Sequence, residues 1–259
     1  MEGRHDERER LRSQRQAAES EDASAQHARK RRVQYLTLAA FGAVAVIVAL
    51  IVISQSGGGD ESSPPSNVAG VAQVNAELKG IPQSGQVLGD PAAPISVIEY
   101  GDPQCSACKF FSESVTTQLI SSEVRPGNAK YEFRPFLIIG PDSKPAMKAA
   151  LAAGEQNRLW QFMQLFYLNQ GSENSGYVTD SFLTSIAKGA GVPDIDKWDQ
   201  DRNDPKWDAT TQQSTSEADS LGFSGTPSIL VQGPNGQKAI GGGTVPTLQQ
   251  IQAAIQQVS

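Results

Sequence analysis

Two cysteines occur in this 259-residue chain, Cys105 and Cys108, three positions apart inside "EYGDPQCSACKFF". A Cys-x-x-Cys pair suits three chemistries: half of a zinc site, a structural disulfide, or a couple that makes and breaks its bond. Zinc needs four ligands, and the two histidines, His5 and His27, stand near the N-terminus on the far side of a long apolar run. No metal site is expected. A structural bridge is the stronger rival, but closing a loop of about four residues removes little chain entropy and would be a poor staple. Redox chemistry follows if a helix begins at Cys105. Its sulfur would then face unpaired backbone N–H groups and the positive end of the helix dipole, which stabilise a thiolate. Cys108, one turn along, would be placed to resolve a mixed disulfide.

The flanking sequence supplies those elements. "ISVIEY", residues 95 to 100, is rich in β-branched and apolar residues, as a strand covered on both faces would be. Phe110, Phe111, Val115, Leu119 and Ile120 then recur at helical spacing, and "KYEFRPFLII" predicts a second strand, parallel to the first if the helix is the crossover. Helical segments follow. Pro145 suits a first helical position after Asp142 and Ser143, and Met147, Ala150, Leu151, Leu159, Phe162, Met163 and Phe166 form an apolar stripe. A further helix is expected from the Thr179–Ser181 cap to Gly189, and another stretch carries Trp198 and Trp207 up to Gly222. The aromatics here read as core. "PSILVQ", the turn "GPNG", "QKAI" and the helical "TLQQIQAAIQQV" close the chain as strand, strand and helix.

Upstream, "YLTLAAFGAVAVIVALIVI" runs nineteen residues, 35 to 53, without a charge or proline, which is membrane-spanning length. Arg29, Lys30, Arg31 and Arg32 precede it, so the N-terminus is expected in the cytoplasm and the remainder outside. The run is too long for a cleaved signal and no Ala-x-Ala pattern follows, which predicts an uncleaved anchor. The division expected is a disordered tail over 1–34, a membrane helix over 35–54, a Gly/Ser/Pro linker over 55–70, and a folded domain over 71–259 with a helical insert at about 141–221. Beyond residue 34 there are 13 basic and 21 acidic residues, a balance that repels phosphate backbones and argues against nucleic acid as a partner.

"GIPQSGQVLGDPAAPISVIEYGDPQCSAC", "AALAAGEQNRLWQF" and "GFSGTPSILV" together resemble the DsbA-like thiol:disulfide oxidoreductases, over residues 80 to 259. The resemblance implies an α/β thioredoxin-like fold (β-α-β, helical insertion, β-β-α) behind the single transmembrane helix. It makes Cys105 the attacking cysteine and Cys108 the resolving one, and it places Thr226 and Pro227 in a cis-proline loop beside them, where an extended substrate backbone can add like a strand. Glu99, six residues before Cys105, matches a buried acid that could exchange a proton with Cys108. Alternation alone leaves open a strand-end glutamate facing solvent.

The departures bear on the direction of electron flow. Ser106 and Ala107 stand where strongly oxidising members carry a histidine, Gln104 replaces thioredoxin's tryptophan, Asp102 would oppose a negative sulfur, and a threonine before the loop proline occurs more in isomerase and reductase branches. The function expected is a membrane-anchored, extracytoplasmic enzyme exchanging disulfides with secreted or envelope proteins, as an oxidase recycled by a membrane redox partner and without a cofactor. A reductase or isomerase on the same scaffold, or a binding module with an inert disulfide, are the alternatives.

Overall fold

The computed structural model describes residues 68–241 and 243–259. The expected tail, membrane helix and all but the last residues of the linker lie outside them, and among the described residues no helix is long and apolar enough to cross a membrane.

Six strands form one sheet in the order β1-β2-β4-β3-β5-β6. At its centre β3 (Ile95–Gly101) runs parallel to β4 (Ala129–Pro135) and antiparallel to β5 (Ser228–Gly233), with Glu99 opposite Phe133 on one side and Ile229 on the other. The short hairpin β1 (Gln83–Ser84) and β2 (Val87–Leu88) extends the β4 edge, and β6 (Gly236–Ile240) folds back on β5 through Pro234 and Asn235. A helix α1 (Val71–Leu78) precedes the sheet; neither it nor the first hairpin was anticipated, since two-residue strands show no alternation to read.

The crossover from β3 to β4 is a helix, α2, over residues 106–124. It is α-helical over Ser106–Phe111 and Thr117–Leu119 and π-wound over Ser112–Thr116 and Ile120–Val124, where Arg125 donates its N–H to the Ile120 carbonyl five residues back. Of the apolar residues expected on its inner face, Phe111, Val115, Leu119 and Ile120 are buried, whereas Phe110 is 60% exposed. Adjacent helical residues point about 100° apart, so burying Phe111 turns Phe110 outward.

Five helices lie between β4 and β5: α3 (Ser143–Glu155), α4 (Leu159–Leu168), α5 (Asp180–Gly189), α6 (Ile195–Asp201) and α7 (Lys206–Ser220). Pro145 is the third residue of α3, where its missing N–H still costs no helical bond. The stretch carrying Trp198 and Trp207 is two helices, because Pro205 cannot continue the ladder of α6 and instead opens α7. The five alanines of α3, Ala146, Ala149, Ala150, Ala152 and Ala153, are fully buried, and their small size lets the Trp198 indole reach the Ala149 carbonyl at 2.8 Å. The last helix, α8 (Leu248–Val258), starts from a capping box of Thr247 and Gln250 and buries Ile251, Ile255 and Val258.

The second strand is shorter than expected, ending at Pro135, and residues 136–139 leave the sheet. The N–H groups of Ile138 and Ile139 both donate at 2.9 Å to the Asp102 carboxylate, so a side chain replaces the ladder as their acceptor. Alternation divides the sheet cleanly. Val97, Tyr131, Phe133, Ile229 and Val231 join α2, α8 and the insert in the main core, while Ile98, Tyr100 and Leu230 meet Ala218 and Phe223 on the other face.

Candidate active site

Strand β3 ends at Gly101 and the chain turns through Asp102, Pro103 and Gln104 into α2. Asp102 is fully buried, and its carboxylate accepts the Gln104 N–H at 2.9 Å besides those of Ile138 and Ile139. The negative charge that seemed set against the sulfur is therefore committed to three backbone donors, an Asx turn that the Asp-Pro sequence could have signalled.

Cys105 is the N-cap of α2, with extended backbone angles, and its sulfur accepts the Cys108 backbone N–H at 3.3 Å. From the other side its thiol donates to the Thr226 carbonyl, also at 3.3 Å. The neighbouring Cys108 thiol first, with the backbone N–H groups of Cys108 and Ala107 adding to it, lowers the Cys105 thiol to about 6 against the cost of burial. Cys108 moves the opposite way. Complete burial pushes its thiol well up, and the proton it shares with Cys105 and the charges of Cys105 and Glu99 push it further. Both cysteines are thiols in this structure. One sulfur is thus an anion near neutral pH while the other holds its proton, the division that an attacking and a resolving cysteine require.

The structure brings the sequence-derived candidates together. The Thr226-Pro227 peptide is cis and leads into β5, holding the Thr226 carbonyl against Cys105. Glu99 faces inward on the same side of β3 as Val97 and is 3% exposed, which settles the face that alternation left open. Burial first, with the Cys105 charge adding to it and the Tyr131 hydrogen bond opposing it, lifts its carboxyl to about 7. Tyr131, on β4, donates its hydroxyl to Glu99 Oε2 and sits 3.4 Å from the Thr116 hydroxyl. Sequence reasoning missed Tyr131 as a site residue, since a tyrosine on a buried strand reads as packing. Among the described residues there is no group of three or more His, Cys, Asp or Glu side chains that could hold a metal ion.

A second element shapes the turn. The loop between α4 and α5, residues 169–179, lies over residues 103–106. Gln170 Nε2 donates to the Pro103 carbonyl at 2.7 Å and the Cys105 carbonyl at 3.3 Å. The buried Gln104 side chain pairs with Asn174, accepting its backbone N–H at 2.8 Å and donating to its Oδ1 at 3.3 Å, and Glu173 accepts the Ser106 N–H at 3.1 Å. In the sequence this loop is a polar spacer with no sign of its destination.

The chain is similar to known proteins in sequence and in fold. The family model described as thioredoxin matches residues 83–256. The chain is similar to a probable disulfide bond formation protein D of Bacillus cereus, 29% identical over 152 residues that cover 57% of this chain and 70% of the relative. It is also similar to the disulfide bond formation protein D of Bacillus subtilis, 28% identical over 120 residues, 45% of this chain and 54% of the relative. Among solved structures, oxidised BdbD from Bacillus subtilis superposes with a TM-score of 0.58 at 21% identity, covering 66% of this chain and 91% of that one. A thioredoxin-like oxidoreductase from Silicibacter pomeroyi gives 0.55 at 25% identity, covering 70% and 95%.

Proposed function

The chain belongs to the thioredoxin family and is a thiol:disulfide oxidoreductase, and from that premise we propose that it is an oxidase, anchored in the cell membrane, that donates disulfides to secreted or envelope proteins. The layout proposed is a cytoplasmic tail over 1–34, a signal anchor over 35–54, a linker over 55–70 and the catalytic domain over 71–259 outside the membrane. The apolar run and the basic block before it support the topology.

The observation that carries the oxidase reading is the stabilised Cys105 thiolate. A thiol titrating near 6 is roughly nine-tenths ionised at pH 7, against about 1% for one titrating at 9. Stabilising the anion stabilises the reduced protein, so the oxidised protein gives its disulfide away. In the proposed cycle a substrate thiolate attacks Cys105 Sγ of the Cys105–Cys108 bond. A mixed disulfide forms, Cys108 leaves as a thiolate, and Glu99 gives it a proton. The substrate's second thiolate then attacks the substrate sulfur of the mixed disulfide and releases Cys105 as a thiolate. Two electrons pass from two substrate thiols to the cysteine pair, and a membrane redox partner removes them to restore the disulfide. Thr226 and Pro227 hold the substrate backbone beside Cys105. The exposed Phe110 and Ile138, 60% and 46% accessible, offer apolar contacts from α2 and from the loop tied to Asp102.

The test is trapping with the full-length chain in cells. Cys108→Ser should accumulate thiol-cleavable covalent adducts with exported proteins, and Cys105→Ser should accumulate none. Titration against glutathione buffers then fixes direction: an oxidising potential with a more heat-stable reduced form supports the oxidase. A potential near thioredoxin's would make it a reductase, and a bond that glutathione cannot open would leave an inert binding module.

A further inference from the structure

The loop over residues 169–179 places a carboxylate at a position with electrochemical consequences. Ser106 is the first helical residue after Cys105, and its N–H is one of the unpaired donors that make a helix start positive. Here that donor is taken, because Glu173 Oε1 accepts it at 3.1 Å. The placement is built. Gln170 is fixed to the carbonyls of Pro103 and Cys105 on one side of Glu173, and on the other Asn174 is locked to the buried Gln104 side chain by two hydrogen bonds and to the Ile139 carbonyl by a third at 3.0 Å. Asn174 also adopts a left-handed backbone, φ 54°, the turn that brings its neighbour down onto the helix start.

We propose that Glu173 is a positioning residue that restrains the oxidising power of the pair, by engaging the first helical N–H and holding a negative charge at the helix start that Cys105 caps. The inference rests on the reading of Cys105 as the attacking cysteine. A like charge disfavours an anion, and a carboxylate on the first helical N–H offsets the positive end of the helix that favours a thiolate. The other titratable groups about the sulfur are Cys108 on α2, Glu99 on β3, Tyr131 on β4, Tyr167 on α4 and Asp102 in the turn, all buried. Lys109, one turn along α2, leans 3.6 Å from Glu113. Glu173 is instead exposed, on a loop foreign to the strand-turn-helix, so its charge can be changed without disturbing the core.

The experiment is a pH titration of the thiolate absorbance and a glutathione equilibrium, run on the full-length chain and on Glu173→Gln, Glu173→Lys and Glu173→Asp. Glu173→Gln keeps the acceptor and removes the charge, and exposed charge effects at a helix start are small, so the equilibrium should move two- to five-fold toward the reduced protein. Glu173→Lys should move it further, Glu173→Asp should stay near the parent, and the thiolate midpoint should fall in the same order. A merely structural loop residue would change stability without this ordering by charge. Unchanged or raised midpoints in both Glu173→Gln and Glu173→Lys would overturn the proposal while leaving the role of Cys105 intact. A parent chain with no thiolate below pH 8 and no Cys108→Ser adducts would instead remove the reading of Cys105, and Glu173 would fall with it.

Discussion

Tyr131 donates a hydroxyl hydrogen bond to one carboxylate oxygen of Glu99, and the other oxygen, Oε1, is buried with no hydrogen-bond partner among the described residues. The acid is thus held by one arm and left open on the other, beneath a cysteine whose ionisation its charge opposes. A lone buried oxygen is costly for a carboxylate and much less so for a carboxyl, which is why burial lifts the group to about 7. A group poised there can hold a proton in one half of a cycle and release it in the other.

Replacing Glu99 with Gln should flatten the pH dependence of stability. For an acid raised from 4.5 to about 7 the folded state holds the proton longer, so stability is greatest below 4.5, falls between 4.5 and 7, and stays lower above. The drop is about 3 kcal/mol by linkage. Thermal unfolding across that window should show Glu99→Gln losing none of it, and stopped-flow reduction should show a resolving step slowed on the order of 100-fold. Parallel parent and variant curves would exclude Glu99 as the source.

The Cys105 thiol works in the opposite sense. With its ionisation lowered from 9 to about 6, its contribution to the reduced protein is complete above pH 9 and disappears as pH falls through 6. Ultraviolet titration of the thiolate should therefore have its midpoint near 6, and the rise in stability of the reduced form from pH 6 to 9 should vanish in Cys105→Ser. A midpoint near 9 would mean that the Cys108 contacts do not act on the sulfur in solution.

Asp102→Ala should unfold the turn before it affects the chemistry. Three backbone N–H groups, of Gln104, Ile138 and Ile139, lose their acceptor, at a cost of about 2 to 4 kcal/mol for a buried cap of this kind. Chemical denaturation reads the loss. Asp102→Asn keeps one acceptor oxygen and should fall between the parent and the alanine variant.

Gly101→Ala tests how closely the strand end is packed. A methyl there would lie 2.8 Å from the Phe133 ring and 3.3 Å from Glu99 Oε1, so the ring must move or the strand must shift. Overpacking of this sort costs about 1 to 3 kcal/mol. Because the same methyl approaches the open oxygen of Glu99, the midpoint of the acid should move along with the melting temperature.

The cysteine pair, its strand-turn-helix and the sequence β-α-β, helical insert, β-β-α from β3 onward were legible because each rests on local signals: alternation, helical spacing, and Gly, Pro or cap residues at the joints. What was not legible depends on which segments meet. Glu99 could not be assigned a face until β3 was flanked by β4 and β5. Asp102 looked like an electrostatic obstacle because the N–H groups it caps lie 36 and 37 residues away. Tyr131 is a core tyrosine by every local criterion and a partner of the acid only by virtue of β4 lying beside β3. The polar loop that carries Glu173 announces nothing of the 67 residues it bridges to reach Ser106.

The sheet's wiring also sets a timetable for synthesis. Cys105 is separated by 121 residues from the Thr226 carbonyl that accepts its thiol, and the central strand gains its second neighbour only when Ser96 meets Gln232. Chains are made N-terminus first and long-range pairings close last. A growing chain therefore carries Cys-Ser-Ala-Cys through 121 further residues of synthesis without this contact. The site is complete only when β5 docks and brings Thr226 and Pro227 beside Cys105.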